Sequence, residues 1–145
     1  MTEVAFHFNA PDKLSYACRL LRKACSNSAQ VVVMGTDELM AALDAALWTF
    51  SPTAFVPHCM ASADAQTLAQ TPVVLGTGEY VPQGLPHHQV LVNLGTSLLS
   101  GFESFEKVIE VVTLDEQDRN MARLRWKHYA DRGYPMVRHD LGVKN

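Results

Sequence analysis

Gln30–Trp48 reads QVVVMGTDELMAALDAALW, and its two halves obey different periodicities. Gln30–Gly35 is a short unbroken apolar run, the pattern of a strand covered on both faces in a parallel sheet. From Asp37 onward Leu39, Met40, Leu43 and Leu47 recur at three- and four-residue steps, the inward face of a helix over Asp37–Trp48. Thr36 supplies a side-chain oxygen for the first free amides, and Asp37 and Glu38 place negative charge where the helix dipole is positive. A buried strand running straight into an amphipathic helix is the repeating unit of an α/β fold.

The same grammar extends in both directions. Val4–Phe8, with polar His7 inside it, reads as a first strand, and Asn9–Asp12 turns the chain with Pro11 at a helix start. The next helix carries Leu14, Ala17, Cys18, Leu21, Ala24 and Cys25 on its core face and Lys13, Arg19, Arg22 and Lys23 on its outer one. Val73–Leu75, Val90–Leu94 and Val108–Leu114 read as further strands, with a short helix placing Leu98, Phe102 and Phe105 inward. Glu110 sits inside the last of these strands with no identifiable partner, and is expected to face solvent at a sheet edge. Ala61–Thr71, small and polar, is expected to be a mobile loop, and Glu79–His88, broken by Pro82 and Pro86, to be irregular. Tyr134–Asn145 is mostly polar and is expected to be loosely attached. The expected architecture is one domain over residues 1–145, α/β and doubly wound, with a mostly parallel sheet and helices on both faces.

Composition narrows the function classes. The 145 residues are 48% hydrophobic and 19% charged, enough for one ordinary core. A net charge of -3 and a pI near 6.0 argue against direct nucleic-acid binding, which needs a strongly basic face. No apolar run reaches the ~20 residues of a membrane span, and MTEVAFHFNAPDK is not an export leader, so a cytoplasmic location is expected. Cys18, Cys25 and Cys59 are odd in number without any CxxC, which fits a reduced compartment and packing roles. His58, Cys59, His87 and His88 lack metal-ligand spacing, so no metal is expected. Nor is any cofactor. Gly35-Thr36-Asp37 and Gly76-Thr77-Gly78 lack the full glycine pattern of a phosphate loop, and Asp37 and Glu38 would repel a phosphate. Ser97, in Gly95-Thr96-Ser97, has no nucleophile elbow around it, and no catalytic residue is assigned.

Asp115–Gly133, DEQDRNMARLRWKHYADRG, reads as a helix with a binding surface. Arg119, Arg123 and Lys127 fall at i, i+4 and i+8 on one face, with Trp126 on its flank and Met121, Ala122 and Tyr129 beyond it. Asp115, Glu116 and Asp118 suit the positive end and Gly133 a stop, so a solvated helix accounts for most of the charge. A cationic stripe beside an indole fits a ligand that is partly apolar and partly anionic. Between Trp48 and His58 the chain also carries Phe50, Pro52 and Phe55, more large apolar groups than a connecting loop needs. Taken singly, Phe55-Val56-Pro57 reads as a short strand and Trp48 as a cap on the core.

Two of these segments together resemble the chi subunit family of the bacterial DNA polymerase III holoenzyme. The family pattern LDxALW, a spacer, then FVPH, is matched by Leu43, Asp44, Ala46, Leu47 and Trp48, followed by Phe55, Val56, Pro57 and His58. The pattern of AR, an aromatic and a lysine near the C-terminus is matched by Ala122, Arg123, Trp126 and Lys127. The resemblance spans most of the chain and implies a non-catalytic accessory subunit of the replicative clamp loader. It implies two partners: the psi subunit, met by Trp48, Phe55 and Pro57, and the acidic C-terminal tail of the single-stranded DNA-binding protein. For that tail it implies Val112, Arg119, Arg123, Trp126 and Lys127 as the binding residues, with Arg123 expected on the terminal carboxylate or a neighbouring acid, Arg119 and Lys127 on the remaining acids, and Trp126 and Val112 around the terminal side chain. Some relatives carry Lys where Arg119 stands and Tyr where Trp126 stands, so charge and aromaticity persist. A repair helicase is a further possible partner, and the rival reading is a small-molecule or nucleotide-binding enzyme using the carboxyl edge of the sheet.

Overall fold

The computed structural model describes residues 2–49 and 55–142; Phe50 and Pro52 lie outside them. Seven strands form one sheet in the order β3-β4-β2-β5-β6-β1-β7, and every pairing is parallel. The strands are β1 (Glu3–Ala10), β2 (Val31–Gly35), β3 (His58–Met60), β4 (Val73–Thr77), β5 (Val90–Asn93), β6 (Lys107–Thr113) and β7 (Met136–Asp140). The helices are α1 (Lys13–Ser26), α2 (Asp37–Thr49), α3 (Ala65–Gln70) and α4 (Glu116–Asp131).

Strand alternation divides the core into two layers. On one face Val31 and Val33 of β2, Val73 and Leu75 of β4, and Ile109 and Val111 of β6 pack under α1 and α2 through Ala17, Cys18, Leu21, Met40, Leu43 and Leu47. On the other face Val32, Met34, Val74, Leu91, Val4 and Val112 pack under α4 and the 3-10 turn Phe102–Ser104, through Ala122, Tyr129 and Phe102. All five residues of β2 are buried, as its apolar run requires. Side-chain caps begin the helices, Thr36 where the sequence placed it and Asp12 one residue after Pro11, which therefore stands outside α1. Asp12 accepts from Ser15 N (2.9 Å), Thr36 from Leu39 N (3.1 Å) and Asp115 from Asp118 N (3.0 Å). Gly133, at φ 76°, ends α4, with Tyr134 N donating back to Tyr129 O.

Several expectations are corrected. Ala61–Thr71 is not a plain loop: α3 forms there, capped by Asp64, which accepts from Thr67 N at 2.8 Å. The short strand after Trp48 begins at His58 and not at Phe55. Glu110 is not at an edge. β6 is flanked by β5 and β1, and the Glu110 side chain is fully buried. The C-terminal segment is not loosely attached either: β7 pairs in parallel with β1 from Val4↔Met136 to Phe8↔Asp140. Its docking brings the His139 ring to 4.7 Å from that of His7, where burial first and His139 second hold the His7 pKa down to about 4.

Lys13 also departs from its expected outward position. Its ammonium reaches across the carboxyl edge of the sheet, donating to Leu94 O (2.8 Å) and pairing with Asp118 Oδ1 (3.1 Å). Asp118 Oδ2 accepts from Thr113 N (2.8 Å) and Thr113 Oγ1 (2.9 Å), so α1, α4, β5 and β6 meet at one carboxylate. Burial raises the Asp118 carboxyl, but the Thr113 amide and the Lys13 ammonium outweigh it and hold the group below its ordinary 3.8. Such a carboxylate stabilises the fold fully above the unfolded pKa, and the contribution disappears as pH falls through the lower folded one. Asp118→Ala should therefore cost about 2–4 kcal/mol in urea unfolding at neutral pH. The gap from wild type should be constant above about pH 5 and narrow below about pH 4, in a series of urea titrations across that range.

Candidate functional site

The orientation of α4 is set from inside. Arg125, 3% exposed, donates from Nε to Glu110 Oε1 (3.0 Å) and from Nη1 to Thr96 O (2.6 Å). Tyr129 donates its hydroxyl to Glu110 Oε2 (2.7 Å). Burial and the adjacent carboxylate push the Tyr129 phenol far above its ordinary pKa, which keeps it a donor at every relevant pH. With both carboxylate oxygens engaged, the buried charge of Glu110 is paired and its helix partner is fixed opposite β6.

The buried stripe of α4 is Asp118, Ala122, Arg125 and Tyr129. Sequence reasoning placed Ala122 and Tyr129 there and missed Arg125. At about 100° per residue, Trp126 lies about 70° from the centre of this stripe, Arg119 about 90°, Arg123 about 130° and Lys127 about 170°. The first three therefore flank the helix beside the sheet, and Lys127 points away from it.

A hollow of about 350 Å³ occupies that flank, between α4 and the β1/β7 edge of the sheet. Its floor is apolar, made by Phe6, Phe8, Val112, Ala122 and Trp126. The Trp126 ring meets Phe6 edge-on at 5.1 Å, which fixes the indole half-buried at the groove wall. Three cations stand around the floor: Arg119 and Arg123 from α4 and Arg138 from β7. Among the described residues that line it none is acidic. Of the residues picked out in the sequence, Val112, Arg119, Arg123 and Trp126 come together here, and Lys127 stands exposed on the same helix outside the lining. Phe6, Phe8 and Arg138 were not picked out. The alternation in VAFHF and MVRHD puts Phe6 and Phe8, and Arg138, on single strand faces, but a signal for their convergence on α4 exists only in the β1–β7 pairing.

A second surface lies at the far end of α2. Trp48 and Phe55 are 61% and 51% exposed, their rings 5.0 Å apart, with the His58 ring 5.2 Å from Trp48. Pro57 is exposed beside them. His58 is held by Asp44 (Nε2···Oδ1 3.0 Å) and by Val56 O (2.7 Å), which fastens this segment to α2. Trp48 thus does not cap the core; Leu43, Leu47 and Val56 fill that place.

The carboxyl edge of the sheet, where this fold usually holds ligands, is engaged by its own side chains. A hollow of about 240 Å³ there is rimmed by Gly35, Gly78 and Ser97. Asn93 accepts from Gly95 N and donates to Ser97 O, each at 2.9 Å, while Ser97 donates to Glu79 at 2.8 Å. Among the described residues no group of three His, Cys, Asp or Glu side chains converges as a metal site, and no helix is long and apolar enough to cross a membrane.

The molecule is thus a doubly wound α/β module with an open groove of arginines and aromatic rings on one helix flank and an exposed aromatic cluster elsewhere. Residues 1–137 match the family described as DNA polymerase III chi subunit, HolC. The DNA polymerase III subunit chi of Pseudomonas aeruginosa is 36% identical over 146 residues, covering 97% of this chain and 98% of that protein. Its namesake from Haemophilus influenzae is 26% identical over 127 residues, covering 87% of this chain and 85% of that protein. The chain belongs to the DNA polymerase III chi subunit family, and so to the machinery of DNA replication.

Neighbouring arginines of α4 have separable roles. Arg125→Met leaves the buried Glu110 charge unpaired and should cost about 3–5 kcal/mol in denaturant unfolding. Arg123→Met, on the exposed flank, should change stability by less than about 0.5 kcal/mol in the same assay.

Proposed function

We propose that this chain acts without catalysis, as an accessory subunit that holds two protein partners on two surfaces. The groove beside α4 binds the acidic C-terminal tail of the single-stranded DNA-binding protein, and the Trp48–Phe55–Pro57 cluster pairs with the psi subunit. The observation that carries the first assignment is the lining of the groove: an apolar floor ringed by arginines, with no carboxylate among the described residues that line it. An anionic chain end with a hydrophobic last side chain complements both features at once. Trp126 and Val112 wall the apolar slot, and Arg119, Arg123 and Lys127 attract the acids. A charge-assisted contact needs a cation that is not internally neutralised, and the one side-chain bond of Arg123 among the described residues is to the neutral amide of Asn120.

The second assignment rests on exposure. Two large aromatic rings stacked against each other and left in water are costly unless a partner covers them, and buried aromatic clusters supply much of the energy of protein interfaces. A helicase of DNA repair is a further candidate for either surface. The enzymatic alternative at the carboxyl edge of the sheet is disfavoured by the Lys13–Asp118 pair and the Asn93–Ser97–Glu79 hydrogen bonds that occupy it.

Calorimetric titration with a synthetic tail peptide tests the groove. Arg123→Ala and Trp126→Ala should each weaken binding by about 1.5–3 kcal/mol, and affinity should fall as salt rises from 50 to 300 mM (roughly the range over which exposed charges become screened). Affinity unchanged in both variants would sink the assignment. Trp48→Ala should weaken co-purification with psi by at least about 2 kcal/mol while leaving tail affinity as in wild type; equal loss of both would point to a folding defect instead.

A further inference from the structure

We propose that Arg138, on β7, is the residue that receives the terminal carboxylate of the bound tail, leaving Arg119 and Arg123 for the acidic side chains upstream. The inference rests on the groove being the tail site and assigns which cation meets which anion. Arg138 is paired in register with Phe6, so its side chain rises from the same sheet face that floors the groove. Its guanidinium carbon lies 4.9 Å from the Phe8 ring centre and 6.0 Å from that of Trp126. A guanidinium set over aromatic rings is held by its face, while its five N–H donors lie in its plane and stay available at the edge.

Those donors have no hydrogen-bond acceptor among the described residues. Asp140, two residues along the same strand, takes the Asn9 Nδ2 (2.8 Å) and Gly142 N (2.9 Å) bonds on Oδ1; the Arg138 charge helps hold its carboxyl below the ordinary value, behind those two hydrogen bonds, but the two form no ion pair. Arg123 differs on both counts: it donates to Asn120 Oδ1, and it leaves α4 farther round from the sheet. The covalent structure of a chain end decides between them. A terminal residue carries its side chain and its carboxylate on one Cα, so the anion must bind within a bond or two of the apolar floor. Arg138 is the cation whose guanidinium lies against the floor rings themselves. Acids earlier in the tail sit a residue or more away, at the distance of the outer rim that Arg119 and Arg123 occupy.

The test uses the full chain and a ten-residue peptide of aspartate and serine ending in phenylalanine, made once with a free C-terminal carboxylate and once as the amide. For wild type, amidation should weaken binding about tenfold or more, the size of one lost charge-assisted contact. Arg138→Ala should weaken binding of the free acid by a similar factor and be nearly indifferent to amidation. Arg138→Lys, which keeps the charge and loses the fork, should fall between, and Arg123→Ala should still show the full amidation effect. Amidation costing Arg138→Ala as much as wild type would overturn the assignment, as would indifference to amidation appearing in Arg123→Ala. Wild type that binds neither peptide would overturn the tail reading of the groove and this inference with it.

Discussion

The Glu110 carboxylate, buried in the middle of the sheet and gripped by Arg125 and Tyr129, is the constraint on which the rest depends. A charge at that depth is tolerable only if it is fully paired, and both partners come from α4. The helix therefore cannot roll or slide without stranding it. That fixes the azimuth of every other α4 side chain: Trp126 and Arg119 at the sheet, Arg123 at the rim, Lys127 outward. An apolar contact in place of Glu110–Arg125 would hold the helix about as strongly but would define its rotation less narrowly, because hydrophobic burial is non-directional. The second pair, Lys13–Asp118, pins the start of the same helix, so α4 is registered at two points along its length.

These two pairs also bear on the carboxyl edge of the sheet, where a fold of this kind usually holds ligands. In doubly wound sheets the crevice opens where neighbouring strands send their connections to opposite faces. Here β1 feeds α1 on one face and β6 feeds α4 on the other, and the mouth between them is filled by Lys13, Asp118 and Thr113. The outer flank of α4, where β7 extends the sheet, is open too, and its hollow is larger than the one at the carboxyl edge. A groove between a helix and an edge strand is shallow and continuous with the surface, a shape suited to an extended peptide more than to an enclosed metabolite.

Much of this was legible in the sequence, and the failures share one cause. Periodicity located β1, β2, β5, β6 and helices α1, α2 and α4, because each buries its own apolar pattern. Polar groups whose burial is justified by a distant partner were misread. Glu110 within VIEVV looks like an outward position until Arg125, fifteen residues later, is set opposite it. Arg123 and Arg125 are two residues apart on one helix and look alike in the sequence, yet about 200° of rotation separates a surface cation from a core one. The β7 segment, polar and mostly exposed, is held by backbone bonds such as Val4 N to Pro135 O (2.9 Å) and Leu141 N to Phe8 O (2.9 Å). Side-chain pattern does not encode those, and with β7 went Arg138 and one wall of the groove. The family resemblance supplied what periodicity could not, the pairing of Trp48 with the Phe55–His58 segment. The structure gives its physical content, since Asp44 and His58 of the two motifs hold each other.

The positions of the two surfaces bear on how they would work together. β3 and β7 are the two edges of the sheet. The aromatic cluster adjoins the start of β3 and the C-terminal half of α1, and the groove lies between α4 and the β1/β7 side of the sheet. Edge strands carry unpaired backbone groups that invite indiscriminate pairing, and a partner docked at an edge would cover them. Among the described residues no side chain lines both surfaces, and the sheet between them is a close-packed body held in register by parallel strands. Partners on the two edges would then bind without competing for surface, and any coupling between them would have to pass through a core that the buried Glu110 pairing resists deforming.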